Sequence, residues 1–277
     1  MKTLKDKVVV ITGAGSGIGR ALAVEVARRG SLVAVSDVDE AGLAETVELV
    51  KAAGAPEVRA DRIDVADRAA FAAYALAVRE HFGRVNVIVN NAGVTMTGDF
   101  EEITYDDFEW IMDVDFWGVV QGTKEFLPHL IASGEGHVVN ISSLFGLISM
   151  PGQSSYNASK YAVRGFTEAL REEMLVAGHP VGVTCVHPGG IKTGISRHGR
   201  KTASQDAQAI DELFEKKLAR MSPDKAARII LKGVTSDKAR VLVGFDAHAI
   251  HTFAKLAGSR YQDLFARASK RVVPPKR

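Results

Sequence analysis

Short apolar runs alternate with stretches of helical periodicity along most of the chain. The runs are rich in valine and isoleucine, which favour strands, and they predict strands over residues 7–12, 31–36, 58–63, 85–89, 137–141, 181–186 and 239–243. Apolar residues at helical spacing predict helices over residues 18–29, 39–53, 67–82, 104–131, 154–176 and 222–234. Apolar strands that alternate with helices are typical of a parallel sheet covered on both faces.

This pattern predicts an α/β fold, a doubly wound parallel sheet of about seven strands, because right-handed crossovers place helices on both faces. No linker, repeat or low-complexity tract divides the sequence, and we expect one domain over residues 1–245. Apolar residues along one side of residues 247–268 predict a further helix, so we interpret residues 246–277 as a C-terminal helical extension. We expect this helix to pack on its own domain or subunit. Docking on a membrane or a partner, through its apolar face and basic end, is the alternative.

Composition narrows the class of protein. The chain has 277 residues, of which 46% are hydrophobic and 25% charged, and these are ordinary values for a globular protein. The net charge of +2 lacks the basic excess common in proteins that bind phosphate backbones, so we expect no nucleic-acid partner. The single cysteine, Cys185, excludes an intrachain disulfide and is too few for a zinc site, so we expect no metal.

Targeting signals are absent from the sequence pattern. Near the N-terminus the unbroken apolar run covers only residues 8–11, which is too short for a signal peptide. No stretch approaches the about 18 consecutive apolar residues of a membrane span. We therefore expect a cytoplasmic protein without membrane association.

A glycine-rich turn, TGAGSGIG at residues 12–19, separates the first strand from the first helix. Ligands of doubly wound sheets bind beyond the carboxyl ends of the strands, where the free N–H groups of a helix N-terminus suit a pyrophosphate. Glycines at positions 13, 17 and 19 would let the backbone approach phosphates without a Cβ clash. The spacing is not G-x-G-x-x-G, and such a turn can be a simple loop. Its place after the first strand favours nucleotide binding.

Asp37 ends the second predicted strand, where an acidic residue binds the adenosine ribose hydroxyls in such folds. Asp39 and Glu40 follow, and we expect no arginine or lysine near this group. A 2′-phosphate placed about 4 Å from Asp37 would be repelled by roughly 4 kcal/mol at an effective dielectric constant of about 20. The pattern therefore favours NAD over NADP, although residues 37–40 can equally cap the following helix.

Tyr156 and Lys160 share one face of a predicted helix. A nearby ammonium favours the phenolate, so we expect Lys160 to lower the pKa of Tyr156 from about 10 and to make it a general acid/base. Such a pair also occurs by chance on solvated helix surfaces, so its context decides. Polar segments after the fourth, fifth and sixth strands, at residues 90–93, 141–143 and 188–189, fall on the same sheet edge as the glycine turn.

Together these segments resemble the short-chain dehydrogenase/reductase family, in its single-domain soluble branch. The matching motifs are TGxxxGxG at 12–19, NNAG at 90–93, a serine thirteen residues before the tyrosine (Ser143), YxxxK at 156–160 and PGxxxT at 188–193. Each motif alone is weak to moderate evidence, whereas all five in order and register are strong. The resemblance implies a Rossmann fold whose domain over residues 1–245 binds a dinucleotide and catalyses the reaction. It also implies an NAD-dependent oxidoreductase acting on CH–OH groups of a small-molecule alcohol or ketone.

The resemblance also implies roles for individual residues. Tyr156 would exchange a proton with the substrate oxygen, Lys160 would hold the nicotinamide ribose, and Ser143 would hydrogen-bond the substrate oxygen. Ser142 is adjacent but fits the spacing less well. The implied cofactor-binding residues are Gly13, Ser16, Gly17, Ile18, Gly19, Asp37, Asp64, Val65, Asn91, Ala92, Gly93, Tyr156, Lys160, Pro188, Gly189, Ile191 and Thr193.

Within this set, residues 64–65 would meet the adenine, residues 91–93 would line the adenosine side, and Ile191 and Thr193 would hold the carboxamide. One further position departs from the family pattern. Where the family has asparagine within V-N-x-x-G, this chain has Asp115. The main-chain carbonyl of that residue helps to hold a water linked to the lysine, a role that aspartate preserves, and its carboxylate could favour the Lys160 ammonium. We expect Asp115 to complete the catalytic set and activity to be retained.

Two alternative functions stay open. One is an NADPH-dependent carbonyl reductase; the other is a dinucleotide-binding module without turnover, which Asp115 in place of the family asparagine suggests. Residues 194–221 would close the substrate pocket, and their apolar side chains favour a hydrophobic secondary alcohol or ketone; these are Ile195, Ile210, Leu213, Phe214 and Leu218. The long helix carries Trp110, Phe116 and Trp117 on more than one face. Because the family pairs this helix and the Tyr/Lys helix across a dimer axis, we expect a homodimer or homotetramer.

Overall fold

The computed structural model describes residues 1–272, and residues 273–277 of the predicted extension lie outside the described residues. The strands are β1 (Val8–Thr12), β2 (Leu32–Asp37), β3 (Val58–Arg62), β4 (Val87–Asn90), β5 (Met96–Thr97), β6 (Gly136–Ile141), β7 (Val181–Pro188), β8 (Arg200–Lys201) and β9 (Arg240–Val243). The helices are α1 (Gly17–Arg28), α2 (Glu40–Ala52), α3 (Arg68–Phe82), α4 (Tyr105–Met112), α5 (Gly118–Ala132), α6 (Ser154–Ala177), α7 (Ile195–His198), α8 (Ala207–Leu213), α9 (Pro223–Thr235), α10 (Phe245–Ala257) and α11 (Tyr261–Val272).

Seven of the strands form one sheet in the order β3-β2-β1-β4-β6-β7-β9. Each neighbouring pair in this sheet runs parallel, and the predicted doubly wound α/β fold is confirmed. The strand order reverses between β1 and β4, which pair directly. In such folds the crevice outside the carboxyl ends of these two strands binds the ligand.

Alternating side chains of the central strands fill both faces of the sheet. Val9 and Ile11 of β1 belong to one buried cluster, which includes Leu22 of α1 and Ile230 of α9. Val10 points the other way and joins a second cluster, built with residues of α3, α5 and α6. Because successive side chains of a strand point to opposite faces, one apolar run supports helices on both sides. The loops at the carboxyl edge therefore emerge from a packed scaffold.

The helix predicted over residues 104–131 is a continuous helical run with an irregular turn in its middle. Its regular parts are α4 and α5, and Asp113–Trp117 between them forms a π-helical turn. A π turn accommodates one extra residue and is frequent at functional sites. Asp115 is the buried residue of this turn.

The predicted single helix over residues 247–268 is wrong, because the extension forms two helices. A 3₁₀ turn at Gly258–Arg260 separates α10 from α11. Gly258 has φ 57° and ψ −144°, which residues with a Cβ rarely adopt, so α10 ends there. Both helices still bury one face, since Ala247, Ala254 and Tyr261 share a cluster with Leu144. Within residues 1–272, none of the helices is long and apolar enough to cross a membrane.

Residues 194–221, predicted to close the substrate pocket, contain α7, β8 and α8 and end in a π turn at Phe214–Leu218. β8 pairs in parallel with β5, with Met96 opposite Arg200. This small sheet fastens the segment to the chain that follows β4. Ile195, Ile210 and Phe214 are half-buried, so the segment turns part of its apolar surface away from solvent.

Candidate active site

The glycine turn connects β1 to α1 in a geometry that requires glycine. Gly13 has φ 64° and Gly17 has φ 54°, and at Gly19 a Cβ would collide with the Gly13 carbonyl oxygen. Ile18 packs against the core, which leaves the first turn of α1 at the sheet edge. Among the described residues, Ser16 makes no side-chain capping bond, and the first turn holds no acidic residue. The N–H groups of this turn therefore fit an anionic phosphate.

Thr12 and Asn91 hold this turn in place. Asn91 Nδ2 donates to the carbonyl oxygens of Thr12 at 2.9 Å and Gly13 at 3.0 Å. Thr12 Oγ1 in turn accepts from the backbone N of Asn91 at 3.0 Å and of Ala92 at 3.1 Å. The Asn91 amide is thus committed to the glycine turn, while the backbone of residues 91–92 forms one wall beside it.

Asp37 lies against the glycine turn from the end of β2. Its Oδ2 accepts from Gly15 N at 2.7 Å and its Oδ1 accepts from Asp39 N at 3.0 Å. No arginine or lysine is close to Asp37 in the sequence, but the fold brings Arg20 to the same glycine turn. The Arg20 guanidinium donates to the carbonyl oxygens of Gly15 and Gly42, the latter at 3.0 Å. Its place directly after the last glycine of the turn is the signal that could have revealed it.

Asp64 and Val65 follow β3, and their side chains point in opposite directions, one to solvent and one to the interior. Asp64 is exposed, and its Oδ1 accepts from Ala66 N at 2.9 Å. Val65 is buried, and its Cγ2 would lie 2.8 Å from a Cβ at Gly118, the first residue of α5. The pair therefore places a carboxylate and an apolar surface at the edge where the adenine is expected.

The loop after β7 approaches the glycine turn from the opposite side. A Cβ at Gly17 would lie 3.1 Å from Thr193 Cγ2. Ile191 is buried and forms a backbone bridge with Met221, at the start of the α9 segment. Pro188 ends β7, and Gly189 follows it against Asp246 of α10. The predicted cofactor residues of this loop therefore face those of the glycine turn across a narrow gap.

Ser143, Tyr156 and Lys160 converge next to these loops. Ser143 follows β6 and lies within hydrogen-bonding reach of the Tyr156 hydroxyl. On α6, Lys160 Nζ is 5.5 Å from the centroid of the Tyr156 ring. Ser142 is used differently, because its hydroxyl donates to the Lys160 carbonyl oxygen at 2.8 Å. The structure therefore brings Ser143, the serine with the better spacing, to the tyrosine.

Asp115 reaches this group from the π turn. Its Oδ2 lies 3.2 Å from Lys160 Nζ, and the two side chains are 0% and 5% exposed. Val94 N donates to Oδ1 at 2.7 Å, and the Ser159 hydroxyl donates to Oδ2 at 3.2 Å. A Cβ at Gly93 would lie 3.1 Å from Oδ1 and 3.2 Å from Nζ. Three donors around one carboxylate favour its ionised form, and they make this a paired, hydrogen-bonded buried charge.

Burial and charge act in opposite directions on these groups. Burial lowers the pKa of Lys160, but Asp115 and Tyr156, with a smaller contribution from Cys185, together outweigh this effect, so the pKa is raised and the ammonium is retained. Burial raises the pKa of the Asp115 carboxyl, while the Lys160 charge and the Val94 N–H oppose the rise. Burial raises the pKa of Tyr156; Lys160 lowers it and Asp115 adds to the rise. Lys160 thus acts on the Tyr156 pKa in the expected direction, but desolvation of the phenolate outweighs its attraction to the ammonium, so the net pKa is raised rather than lowered.

The surroundings of the Tyr156 ring are apolar. Met96 and Ile111 form a buried cluster with it, and Trp110 packs against the same cluster. The Phe145 ring meets Tyr156 edge to face, with ring centroids 6.1 Å apart. The arrangement can therefore exchange a proton at one phenol oxygen within a pocket of low polarity.

His187 links the segment after β6 to the loop after β7. Its Nδ1 donates to the Ser143 carbonyl oxygen at 2.8 Å. Burial lowers the pKa of His187 to about 4, so the ring is neutral near neutral pH, and this hydrogen bond requires the proton on Nδ1. His187 thus supports the position of Ser143. In the described part of the chain, no group of three or more His, Cys, Asp or Glu side chains is placed to hold a metal ion.

The sequence and the fold are similar to those of known proteins. A family model described as short chain dehydrogenase matches residues 7–204. An oxidoreductase named SadH from Mycobacterium tuberculosis is 56% identical over 274 residues, which cover 99% of each chain. A crystal structure of a short chain dehydrogenase/reductase from Burkholderia phymatum in complex with NAD is similar with a TM-score of 0.86 and 31% identity, covering 95% of this chain and 97% of that one. A short chain dehydrogenase from Mycobacterium paratuberculosis bound to NAD has a TM-score of 0.75 and 27% identity, covering 87% of this chain and 97% of that one.

Proposed function

Because this chain belongs to the short-chain dehydrogenase/reductase family, we propose that it transfers a hydride between NAD(H) and a secondary alcohol or ketone, with Tyr156 as general acid/base. Family membership establishes an oxidoreductase with a nicotinamide dinucleotide cofactor and a small-molecule substrate. The observation that carries the finer proposal is the convergence of Ser143, Tyr156 and Lys160 in one apolar pocket beside the glycine turn.

The proton moves through residues of this chain. In alcohol oxidation Tyr156 accepts the proton of the substrate hydroxyl, and in ketone reduction it donates a proton to the carbonyl oxygen. Ser143 Oγ accepts from Phe145 N at 3.1 Å, so its own O–H is not used by the backbone and can donate to a substrate oxygen in place of the Tyr156 hydroxyl. The Lys160 ammonium stabilises the phenolate. When bound, the nicotinamide accepts or supplies the hydride.

Asp115 acts on the reaction through Lys160. Its carboxylate keeps the lysine charged although both side chains are almost fully buried. A charged lysine both stabilises the phenolate and offers N–H donors to ribose hydroxyls. Asp115 therefore serves as a positioning residue, and its substitution for the family asparagine is compatible with turnover.

We favour NAD over NADP because of the charges at the end of β2. The Asp37 carboxylate is fixed by two backbone N–H groups and would repel a 2′-phosphate. Arg20 does not compensate, because its Nε donates to Thr46 Oγ1 at 3.0 Å and its guanidinium pairs with Glu45 at 3.0 Å. The similarity to two solved NAD complexes supports the same choice. NADPH is the second candidate, since Arg20 places a cation on the Gly15 carbonyl oxygen, and Asp37 accepts from the N–H of the same residue.

The substrate class follows from the pocket around Tyr156. Met96, Ile111 and Phe145 surround the phenol with apolar surface, and the segment over residues 194–221, whose strand β8 pairs with β5 at Met96, carries half-buried apolar side chains. Two cations of that segment are paired: Arg200 with Asp107 at 2.9 Å and Lys201 with Asp211 at 3.1 Å. A neutral, hydrophobic secondary alcohol or ketone is the substrate that such surroundings favour.

The decisive experiment measures steady-state turnover of a panel of hydrophobic alcohols and ketones with NAD(H) and NADP(H). We expect turnover, with a higher kcat/KM for NAD(H). Tyr156→Phe removes the hydroxyl and keeps the ring packing, so we expect turnover to be abolished and the Kd for NADH to be largely unchanged. Tyr161→Phe is the matched control, because Tyr161 directly follows Lys160 on the same helix. Wild-type turnover in Tyr156→Phe would refute the proton path, and tighter NADPH binding would refute the reading of Asp37.

A further inference from the structure

The first turn of the C-terminal extension contacts the loop that follows β7. Asp246 is the acidic residue in the first turn of α10, where a carboxylate interacts favourably with the helix N-terminus. Its Oδ2 accepts a hydrogen bond from Gly190 N at 2.6 Å. The two residues lie far apart in the sequence, so this bond joins the extension directly to the loop over residues 188–193.

Two glycines make room for this one carboxylate. At Gly189 a Cβ would collide with Asp246 Oδ2, and at Gly244 it would collide with Oδ1. Gly244 also has φ 114° and ψ 147°, a conformation that favours glycine and that turns the chain from β9 into α10. The carboxylate is therefore packed against backbone on both sides, and its position is tightly constrained.

The rest of the extension anchors this contact to the catalytic segment. Ala247, the neighbour of Asp246, is fully buried in the cluster that contains Leu144 and Ile148. Farther along, the Tyr261 hydroxyl accepts from Ser149 N at 3.0 Å. The helix that carries Asp246 is thus held against the segment that begins at Ser143, so it can place the carboxylate reproducibly.

We propose that Asp246 is a positioning residue that holds the loop over residues 188–193 in its cofactor-binding shape, so that the C-terminal extension is part of the cofactor site. The inference rests on the proposed function, in which Ile191 and Thr193 of this loop contact the cofactor. Gly190 lies in the chain between Pro188–Gly189 and these two residues, and its N–H is the group that Asp246 holds. Fixing it sets the direction in which the chain continues toward the glycine turn.

The role is geometric and does not depend on attraction between charges. A carboxylate close to the site of an anionic dinucleotide is electrostatically unfavourable for binding, so its benefit must come from the hydrogen bond. An amide oxygen can accept the same bond, whereas a methyl group cannot. The two substitutions Asp246→Asn and Asp246→Ala therefore separate positioning from charge.

The test uses the full chain and two measurements, hydrogen exchange without cofactor and NADH binding by fluorescence titration. For Asp246→Ala we expect faster amide exchange in the peptide spanning residues 186–193 and a Kd for NADH raised by about tenfold, which corresponds to about 1.4 kcal/mol. For Asp246→Asn we expect both quantities within about twofold of the wild type, because the acceptor is kept. Asp263→Ala removes an exposed carboxylate from the first turn of α11 and should change neither.

Unchanged exchange and unchanged NADH affinity in a folded Asp246→Ala variant would overturn the inference. If that variant does not fold, Gly189→Ala tests the contact from the loop side, because its methyl group displaces the carboxylate. An unchanged Kd in Gly189→Ala would then overturn it. The outcome is distinguishable from failure of the proposed function: a wild-type protein that binds neither NADH nor NADPH refutes the function, whereas a binding wild type with an equally binding Asp246→Ala refutes this inference alone.

Discussion

The buried pair of Asp115 and Lys160 makes a specific prediction for the pH dependence of the reaction. Asp115→Asn removes a negative charge that lies 3.2 Å from Lys160 Nζ. At that distance two unit charges attract by about 5 kcal/mol with an effective dielectric constant of about 20. Because loss of one partner leaves the other charge buried, the free energy of unfolding should fall, by up to about 3–5 kcal/mol. We expect the lower part of this range, since an amide oxygen still accepts from Val94 N.

The same substitution changes the acid/base behaviour in a defined direction. Asp115 raises the pKa of both Lys160 and Tyr156, so without it the first proton leaves this coupled pair more easily, whichever group releases it. The other titratable group that acts on Lys160 is Cys185, and burial raises the pKa of its thiol to about 12, so it stays neutral. We therefore expect the acid limb of kcat/KM for alcohol oxidation to move to lower pH.

The assay is kcat/KM against pH for wild type and Asp115→Asn, with urea unfolding of both proteins. Asp113→Asn is the matched control, because Asp113 occupies the same π turn but is exposed, and its charge is screened by solvent. The control should leave the profile and the stability nearly unchanged. An acid limb that stays in place or moves to higher pH in Asp115→Asn would refute the assigned electrostatics.

Two further substitutions probe the cofactor edge and the acid stability of the fold. Gly17→Ala places a Cβ at φ 54° and 3.1 Å from Thr193 Cγ2, so we expect the Kd for NADH to rise by about tenfold or more. Gly165→Ala in α6, where a Cβ would meet no atom within 4 Å, should leave it unchanged, and equal affinities would count against the predicted phosphate turn. Burial raises the pKa of Asp237, but its two contacts with the Arg171 guanidinium, with smaller contributions from His137 and the N-terminal ammonium, outweigh this and hold the pKa below its usual value. Arg171→Gln should therefore lower the unfolding free energy above about pH 4. The difference from wild type should vanish as the pH falls through the folded-state pKa of Asp237. A difference in unfolding free energy that grows with acid would contradict this pairing.

The strands and the spacing of Ser143 from Tyr156 could be predicted because local sequence patterns determine them. Val8–Thr12 is buried along its whole length, and an unbroken apolar run has few alternatives to an interior strand. The choice of Ser143 over Ser142 rested on spacing in the chain. The structure has the same arrangement, because Ser142 turns inward to the Lys160 carbonyl and its neighbour consequently turns toward Tyr156.

Features that depend on contacts between distant segments could not be predicted in the same way. The π turn at Asp113–Trp117 keeps helical periodicity on both sides, and the contact of Asp115 with Val94 N becomes visible only in the folded chain. The break at Gly258 was hidden because α10 and α11 bury residues in the same cluster, so one apolar pattern runs through both. The direction in which the Tyr156 pKa shifts also depends on burial, which the i, i+4 spacing of Tyr156 and Lys160 does not reveal.

Polar residues at the carboxyl edge of the sheet divide into two groups according to the backbone atoms that need partners there. Where β1, β4 and β6 end, carbonyl and N–H groups lose their ladder partners, and a buried backbone group without a hydrogen bond is costly. Thr12 and Asn91 satisfy such groups, and Ser142 donates instead to the Lys160 carbonyl oxygen in α6. A side chain that is committed in this way cannot also exchange a proton with a substrate. Ser143 and Tyr156 keep hydroxyl groups that the backbone does not require as donors, which is the physical reason to assign the chemistry to them.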